Sequence, residues 1–274
     1  MPEEQLSGPE GVLVTPEGEP RAAFLVLSGS SGRVQVDRCR ALAHHGIAAM
    51  SVRWFGGPGQ APTLAEVPVE SFPPCLDRLA GLAPRLGVMG VSFGALAALL
   101  LGVADERLDV VAALAPSHVV WASPTLTDDG RPVARSAFSW HGDPLFHVPV
   151  VDQTTWQGPA FANPRQLYEA SLRRYAAMTG DAAVAVEQVT AALVLSAGGD
   201  DRVWPAGLFA EEIRARRAEH GLDTTVLHEP AAGHRALLPG EAAYASVADY
   251  SYGGTEEADR RLGARVLDAV LALV

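Results

Sequence analysis

The chain has 274 residues, and nearly half are hydrophobic, so it can bury one sizeable core and is not a disordered segment. Its formal charge of −11 argues against nucleic acid or an anionic membrane as partner. The 21 basic residues are all arginine; without lysine, neither Schiff-base chemistry nor a P-loop is open to it.

The opening MPEEQLSGPEG is acidic and polar, the opposite of a signal peptide, so residues 1–20 are expected to be an N-terminal extension. No apolar run reaches the ~18 residues of a bilayer span. Cys39 and Cys75 form no spaced metal or redox pair and suit a reducing, cytoplasmic setting.

From Arg21 the chain alternates. RAAFLVLSG predicts a buried strand ending in a glycine-rich turn, and VDRCRALAHHG a helix closed by Gly46. IAAMSVRWF reads as the next strand, and VESFPPCLDRLAGLA as a helix with prolines near its start. RLGVMGVS is a strand, FGALAALLLGVA a helix and LDVVAALAPS a strand. Continuously apolar strands separated by helices indicate a mostly parallel sheet covered on both faces.

The alternation breaks between residues 122 and 190, a segment rich in Pro, Gly and aromatics with one clear helix, PRQLYEASLRRYAAM. Trp121, Phe138, Trp140, Phe146, Trp156 and Phe161 favour a folded cap or lid over disorder. Alternation resumes with AALVLSAGG, GLFAEEIRARRAEHG and DTTVLHEP, and a helix from about Glu256 closes the chain. The expected organisation is therefore a core of 21–121 and 191–274 with an insertion at 122–190.

GVSFG places Ser92 where a predicted strand meets a predicted helix. A nucleophilic serine needs a sharp turn there, flanked by glycines, with the next N–H aimed at the developing oxyanion. The plain alternative is a structural serine in a glycine turn. An acid and a histidine should follow in that order. Asp200 and Asp201 lie just past a strand in LSAGGDDRVWP, and His234 just past the last strand in HEPAAGHRALLPG. His44, His45 and His220 fall at helix ends, and His228 falls within a strand. His118 and Trp121, in APSHVVW, are expected to line the substrate pocket. The oxyanion donors would be the N–H of Phe93 and those of Gly29 and Ser30 in LSGSSGR, although that loop reads equally well as a tight turn. No His/Cys/Asp/Glu cluster has metal-ligand spacing.

In order, LVLSGSSG, HHGIAAMSVRWFGGPG, GVSFGALAALLLG, APSHVVW, LSAGGDDRVWPAGLFAEEI, EPAAGHRALLPG and YGGTEEADRR resemble the C-terminal catalytic domain of the acyl-CoA thioesterase / bile acid-CoA:amino acid N-acyltransferase family. That family belongs to the α/β-hydrolases, with likeness to dienelactone hydrolases. The resemblance spans nearly everything from residue 20 and rests most on DDRVWP and YGGT. It implies an α/β-hydrolase fold, no cofactor and attack on an acyl thioester. Carried over, Ser92 is the nucleophile, His234 the base and Asp200 the acid, with Asp201 as the alternative. Serine where acyl-transferring members often carry cysteine favours hydrolysis. Only about twenty residues stand where full-length relatives have a β-domain. The closing helix lacks an expected tryptophan, and residues 123–189 match weakly. The expected partner is a small acyl substrate, a thioester or an ester; a homodimer stays open. Ester or lactone hydrolysis, and acyl transfer to an amine or hydroxyl, are the alternatives. A non-catalytic binding module is disfavoured by the intact set of three residues.

Overall fold

The computed structural model describes residues 1–126, 132–151, 164–243 and 251–274. Its centre is an eight-stranded sheet: β1 (Glu3–Ser7), β2 (Glu10–Val14), β3 (Ala22–Leu27), β4 (Ile47–Val52), β5 (Leu86–Val91), β6 (Val110–Leu114), β7 (Ala192–Gly198) and β8 (Thr225–Glu229). The spatial order is β1-β2-β4-β3-β5-β6-β7-β8. β2 runs antiparallel to both β1 and β4, and the remaining neighbours are parallel.

Residues 1–20, expected as a mere extension, therefore contribute two strands of the sheet. Their signal is weak in the sequence because β1 is short and largely exposed, so no continuous apolar run marks it. β2 supplies GVLV, all four buried.

Strand side chains alternate between two cores. Leu25 and Leu27 point to one face, while Phe24 and Val26 point to the other. The first face is covered by α2 (Pro73–Ala80), α3 (Phe93–Ala104) and α5 (Ala206–Glu219), and the second by α1 (Val36–His44) and α6 (Glu256–Leu271). α3 is buried along most of its length, which explains why its sequence is apolar all round instead of striped.

The segment between β6 and β7 packs into the first core. Ala137, Phe138, Val148, Val184 and Val186 are all buried there. Phe138 stacks on Trp54 at 5.9 Å, and Phe138–Trp140 pairs in parallel with Val67–Pro68. Helix α4 (Arg165–Arg174) belongs to this segment. Trp156 and Phe161, read as lid aromatics, lie outside the described residues. Among the described residues, no helix is long and apolar enough to cross a membrane.

The strand order reverses beside β3, whose neighbours are β4 and β5. In open α/β sheets the crevice at the carboxyl ends of such strands is the usual ligand site. Both GVSFG, after β5, and LSGSSG, after β3, open there.

Candidate active site

Ser92 occupies a strained turn. It sits between β5 and α3 at φ 59° and ψ −124°, a left-handed conformation costing a non-glycine residue about 1–3 kcal/mol. The glycines of GVSFG exist because three backbones meet at this point. A Cβ on Gly90 would lie 2.0 Å from the Gly94 carbonyl oxygen, and one on Gly94 would lie 2.2 Å from that of Ser28. From the other side, the Ser92 N–H donates to the Leu114 carbonyl at the end of β6 (2.9 Å). Phe93 opens α3, so its N–H has no partner within the helix and is available to an anion. The loop after β3 lies directly against the serine: a Cβ on Gly29 would approach Ser92 Cβ to 3.2 Å.

The carboxylate that reaches His234 is Asp201, not Asp200. His234 Nδ1–H donates to Asp201 Oδ2 at 2.8 Å, with Asp201 1% and His234 5% exposed. A carboxylate only accepts, so this contact fixes the tautomer and leaves Nε2 as the free acceptor. The second oxygen of Asp201 accepts from the N–H groups of Val203 (2.8 Å) and Trp204 (3.2 Å). Asp200 points the opposite way, to the surface. Its Oδ2 accepts from the Gly254 N–H (2.8 Å) and its Oδ1 pairs with Arg202 (3.2 Å). The Gly254 N–H and then Arg202 hold its carboxyl below the ordinary range.

The YGGT segment ties the acid and histidine loops together. The His234 N–H donates to the Tyr252 carbonyl (2.9 Å), while Gly254 reaches Asp200 as above. Gly253, at φ +71°, lies so close to the Asp200 carbonyl that a Cβ would come within 1.7 Å.

Asp259 on α6 fastens the histidine loop from behind. Its Oδ1 accepts from the Gly233 N–H (2.7 Å), and its carbonyl accepts from the Leu237 N–H (3.0 Å). Burial pushes its carboxyl up to about 6; the Gly233 N–H, Arg235 and His234 pull down, while Asp201 pushes further up.

Ser92, His234, Phe93, Gly29 and Ser30 open into one cavity of about 360 Å³. Phe93, Tyr168, Val203 and Trp204 give it an apolar wall, and Ser31, Gln35, Arg38, Arg235 and Tyr252 a polar one. Arg38 is anchored by Glu241, Nε to Oε1 at 2.6 Å, and Arg235 lies over the Tyr252 ring at 3.4 Å. The two residues expected to line the pocket do not. Trp121 is fully buried in the core, donating from Nε1 to Ser117 Oγ at 2.8 Å. His118 packs on Phe209 at 5.0 Å, and burial drives its imidazole down to about 4. Both follow β6, but the chain there turns beneath α4 and away from the serine. Tyr168, edge-on to Trp121 at 4.8 Å, fills the position instead. A sequence signal for it existed, as the aromatic of the one clear helix in the weakly patterned segment.

A family model described as BAAT / Acyl-CoA thioester hydrolase C terminal matches residues 76–259, about two thirds of the chain. The chain belongs to this family. It is an α/β-hydrolase enzyme that acts on ester or thioester bonds. No curated protein matches it. Among solved structures it is similar to Est1E from Butyrivibrio proteoclasticus with ferulic acid bound, at 12% identity and a TM-score of 0.58, over 100% of this chain and 99% of that one. It is also similar to the esterase domain of a Rhodothermus marinus protein, at 15% identity and 0.54, over 96% and 92%. TT1662 from Thermus thermophilus is similar at 18% identity and 0.53, over 99% and 95%. At these identities the likeness is one of fold.

The Asp259 carboxyl generates a stability prediction. Between about pH 4 and 6 the folded protein keeps a proton there that the unfolded chain has released, so stability owed to this group falls as pH rises through that window and stays reduced above it. Asp259→Asn retains an acceptor for Gly233 and removes the titration. Its Tm relative to the parent protein should rise between pH 4 and pH 7. A difference that stays flat across that range would mean the carboxyl ionises normally.

Proposed function

We propose that the enzyme is a serine hydrolase that opens acyl thioesters through an acyl-enzyme, with Ser92 as nucleophile, His234 as general base and Asp201 as the acid that orients it. The observation that carries this reading is the buried His234–Asp201 bond opening onto the cavity that holds the strained Ser92. Ser92 Oγ attacks the acyl carbon as His234 Nε2 takes its proton. The oxyanion is stabilised by the Phe93 N–H and by backbone donors of the Gly29–Ser30 loop. Collapse expels the thiolate, which receives the proton from His234, and water then repeats the sequence to release the acid. The family match supports the thioester, and the esterase names of the neighbours support oxyester hydrolysis as second reading.

Charge bears on the carrier. The chain is strongly acidic, and Arg38, Arg135 and Arg165 are ion-paired with Glu241, Glu66 and Glu169. The phosphates of coenzyme A therefore gain little by long-range attraction.

Ser92→Ala should remain folded, lose fluorophosphonate labelling and lose at least ~10³-fold in kcat/KM. Near-normal turnover by that variant would end the serine reading. Asp201→Asn should cost about 10⁴-fold by holding the imidazole in the wrong tautomer. Asp200→Asn keeps an acceptor for the Gly254 N–H and weakens only the exposed pair with Arg202, so it should cost less than about tenfold. Reversed sensitivities would return the acid to Asp200. On one acyl chain, a short uncharged thioester should be turned over with a kcat/KM comparable to that of the matching acyl-CoA. Turnover of the aryl oxyester alone would replace the thioester reading. A coenzyme A preference above about 100-fold that collapses with salt would reveal a phosphate site.

A further inference from the structure

Tyr168 is placed with unusual firmness for a residue of the weakly patterned segment. The Arg165 N–H donates to the Arg202 carbonyl (3.0 Å), and Arg165 Nη1 to the Asp201 carbonyl (3.1 Å). The first turn of α4 is thus clipped to the very loop that carries the acid. Tyr168, one turn on, is wedged edge-on between Trp121 (4.8 Å) and Trp204 (5.6 Å). Trp204 in turn meets Phe93 at 5.5 Å, so the three rings form a continuous wall of the serine cavity.

The side chains of that wall carry two polar groups, the Trp204 Nε1–H, which is given to the Ala115 carbonyl (3.1 Å), and the Tyr168 hydroxyl. The hydroxyl makes no hydrogen bond among the described residues. Burial holds its phenol well above the ordinary tyrosine value, so it remains a neutral O–H donor across the working pH range. The leaving group must lie beside His234, which gives it a proton. His234 is flanked on two sides, by Trp204 of the aromatic wall, edge-on at 5.6 Å, and by Tyr252, ring to ring at 6.4 Å, with Arg235 over the Tyr252 ring. The polar Tyr252–Arg235 side suits the departing group, and the aromatic wall is left for the acyl chain.

On the serine-hydrolase reading above, we propose that Tyr168 is a specificity-determining residue whose hydroxyl donates a hydrogen bond to an oxygen carried on the acyl chain, so that the preferred substrates are oxygen-bearing acyl groups and not plain alkanoyl ones. A plain alkyl chain seated on this wall displaces water from the hydroxyl and returns nothing, leaving a desolvated donor unpaired. An ether, keto or hydroxyl oxygen at the right distance replaces that water. Sites with a committed polar group discriminate in this way, whereas purely apolar pockets discriminate poorly.

The test compares matched p-nitrophenyl esters, a plain alkanoyl ester against chains of equal length with an ether oxygen at the third, fourth or fifth position. Each pair is read as the ratio of kcat/KM values in the parent protein and in Tyr168→Phe, which cancels intrinsic reactivity. For at least one oxygen position the ratio should fall roughly tenfold in the variant, through slower turnover of the ether ester and unchanged or faster turnover of the alkanoyl one. Ratios unchanged at every position, or equal losses on both members of each pair, overturn the proposal. Phenylalanine keeps the ring contacts, and a thermal melt confirms that the wall is intact. If the parent protein turns over these esters and Ser92 is labelled by a fluorophosphonate, a flat ratio removes only the role of Tyr168. If neither occurs, the serine reading falls and the role of Tyr168 falls with it.

Discussion

A carboxylate with almost no contact with water persists inside a protein only when donors surround it, and Asp201 is the group on which this site is organised. Two backbone N–H groups, from Val203 and Trp204, and the imidazole of His234 complete its shell. Ionised carboxylates that lack such donors neutralise instead. The requirement explains the form of DDRVWP. The chain must fold back directly after Asp201 so that the amides two and three residues on point at it, and Trp204 must go where its own Nε1–H finds the Ala115 carbonyl (3.1 Å). The indole then packs edge-on against His234 at 5.6 Å and confines the ring. One electrostatic demand thus fixes Asp201, His234 and part of the cavity wall together.

The histidine loop needs support of its own, because nothing in a parallel sheet holds a loop beyond its last strand. That support comes from α6 and from YGGT. Asp259 and the Tyr252 carbonyl bind the consecutive N–H groups of Gly233 and His234 from two directions. Asp200 closes the circuit by binding Gly254. The paired aspartates therefore divide the labour, Asp201 facing the imidazole and Asp200 holding the segment that holds the loop. The exposed Asp200 is cheap to ionise, whereas the half-buried Asp259 is not, and the cost shows in its raised pKa.

The parts that are legible in the sequence are those governed by local pattern. Continuous apolar runs such as AAFLVL and ALVLSAG read as buried parallel strands because both faces are covered. Ser92 and His234 were legible because each follows such a run at the sheet's carboxyl edge. The choice between Asp200 and Asp201 was not, since adjacent residues on one turn point to opposite sides and only the third dimension shows which side holds the imidazole. The β1–β2 hairpin leaves little mark on the sequence because β1 is short and exposed. His118 and Trp121 lie away from their expected place for a related reason. A strand end predicts proximity to the crevice, but the chain's next turn decides whether a side chain enters the cavity or the core, and an indole that finds a buried acceptor in Ser117 is free to take the core.

The same division between polar and apolar surroundings shapes the cavity. Its polar wall comes from the loops after β3 and around His234, where backbone amides and arginines gather. Its apolar wall comes from Phe93 at the start of α3, from Tyr168 of α4 and from Val203 and Trp204 after Asp201, and of these only α4 belongs to the less legible part of the chain. A hydrolase must stabilise a developing oxyanion and a departing group with fixed dipoles, and it must strip water from the acyl group so that those dipoles act in a low-dielectric site. The first task falls to elements that the sheet positions rigidly. On the proposed reading, the second falls to a helix clipped through Arg165 to the loop that carries Asp201, so that the apolar wall and Asp201 share one anchor. Because of that shared anchor, the cavity wall and the His234–Asp201 pair are coupled, and a change in the wall that moved α4 would be felt at His234.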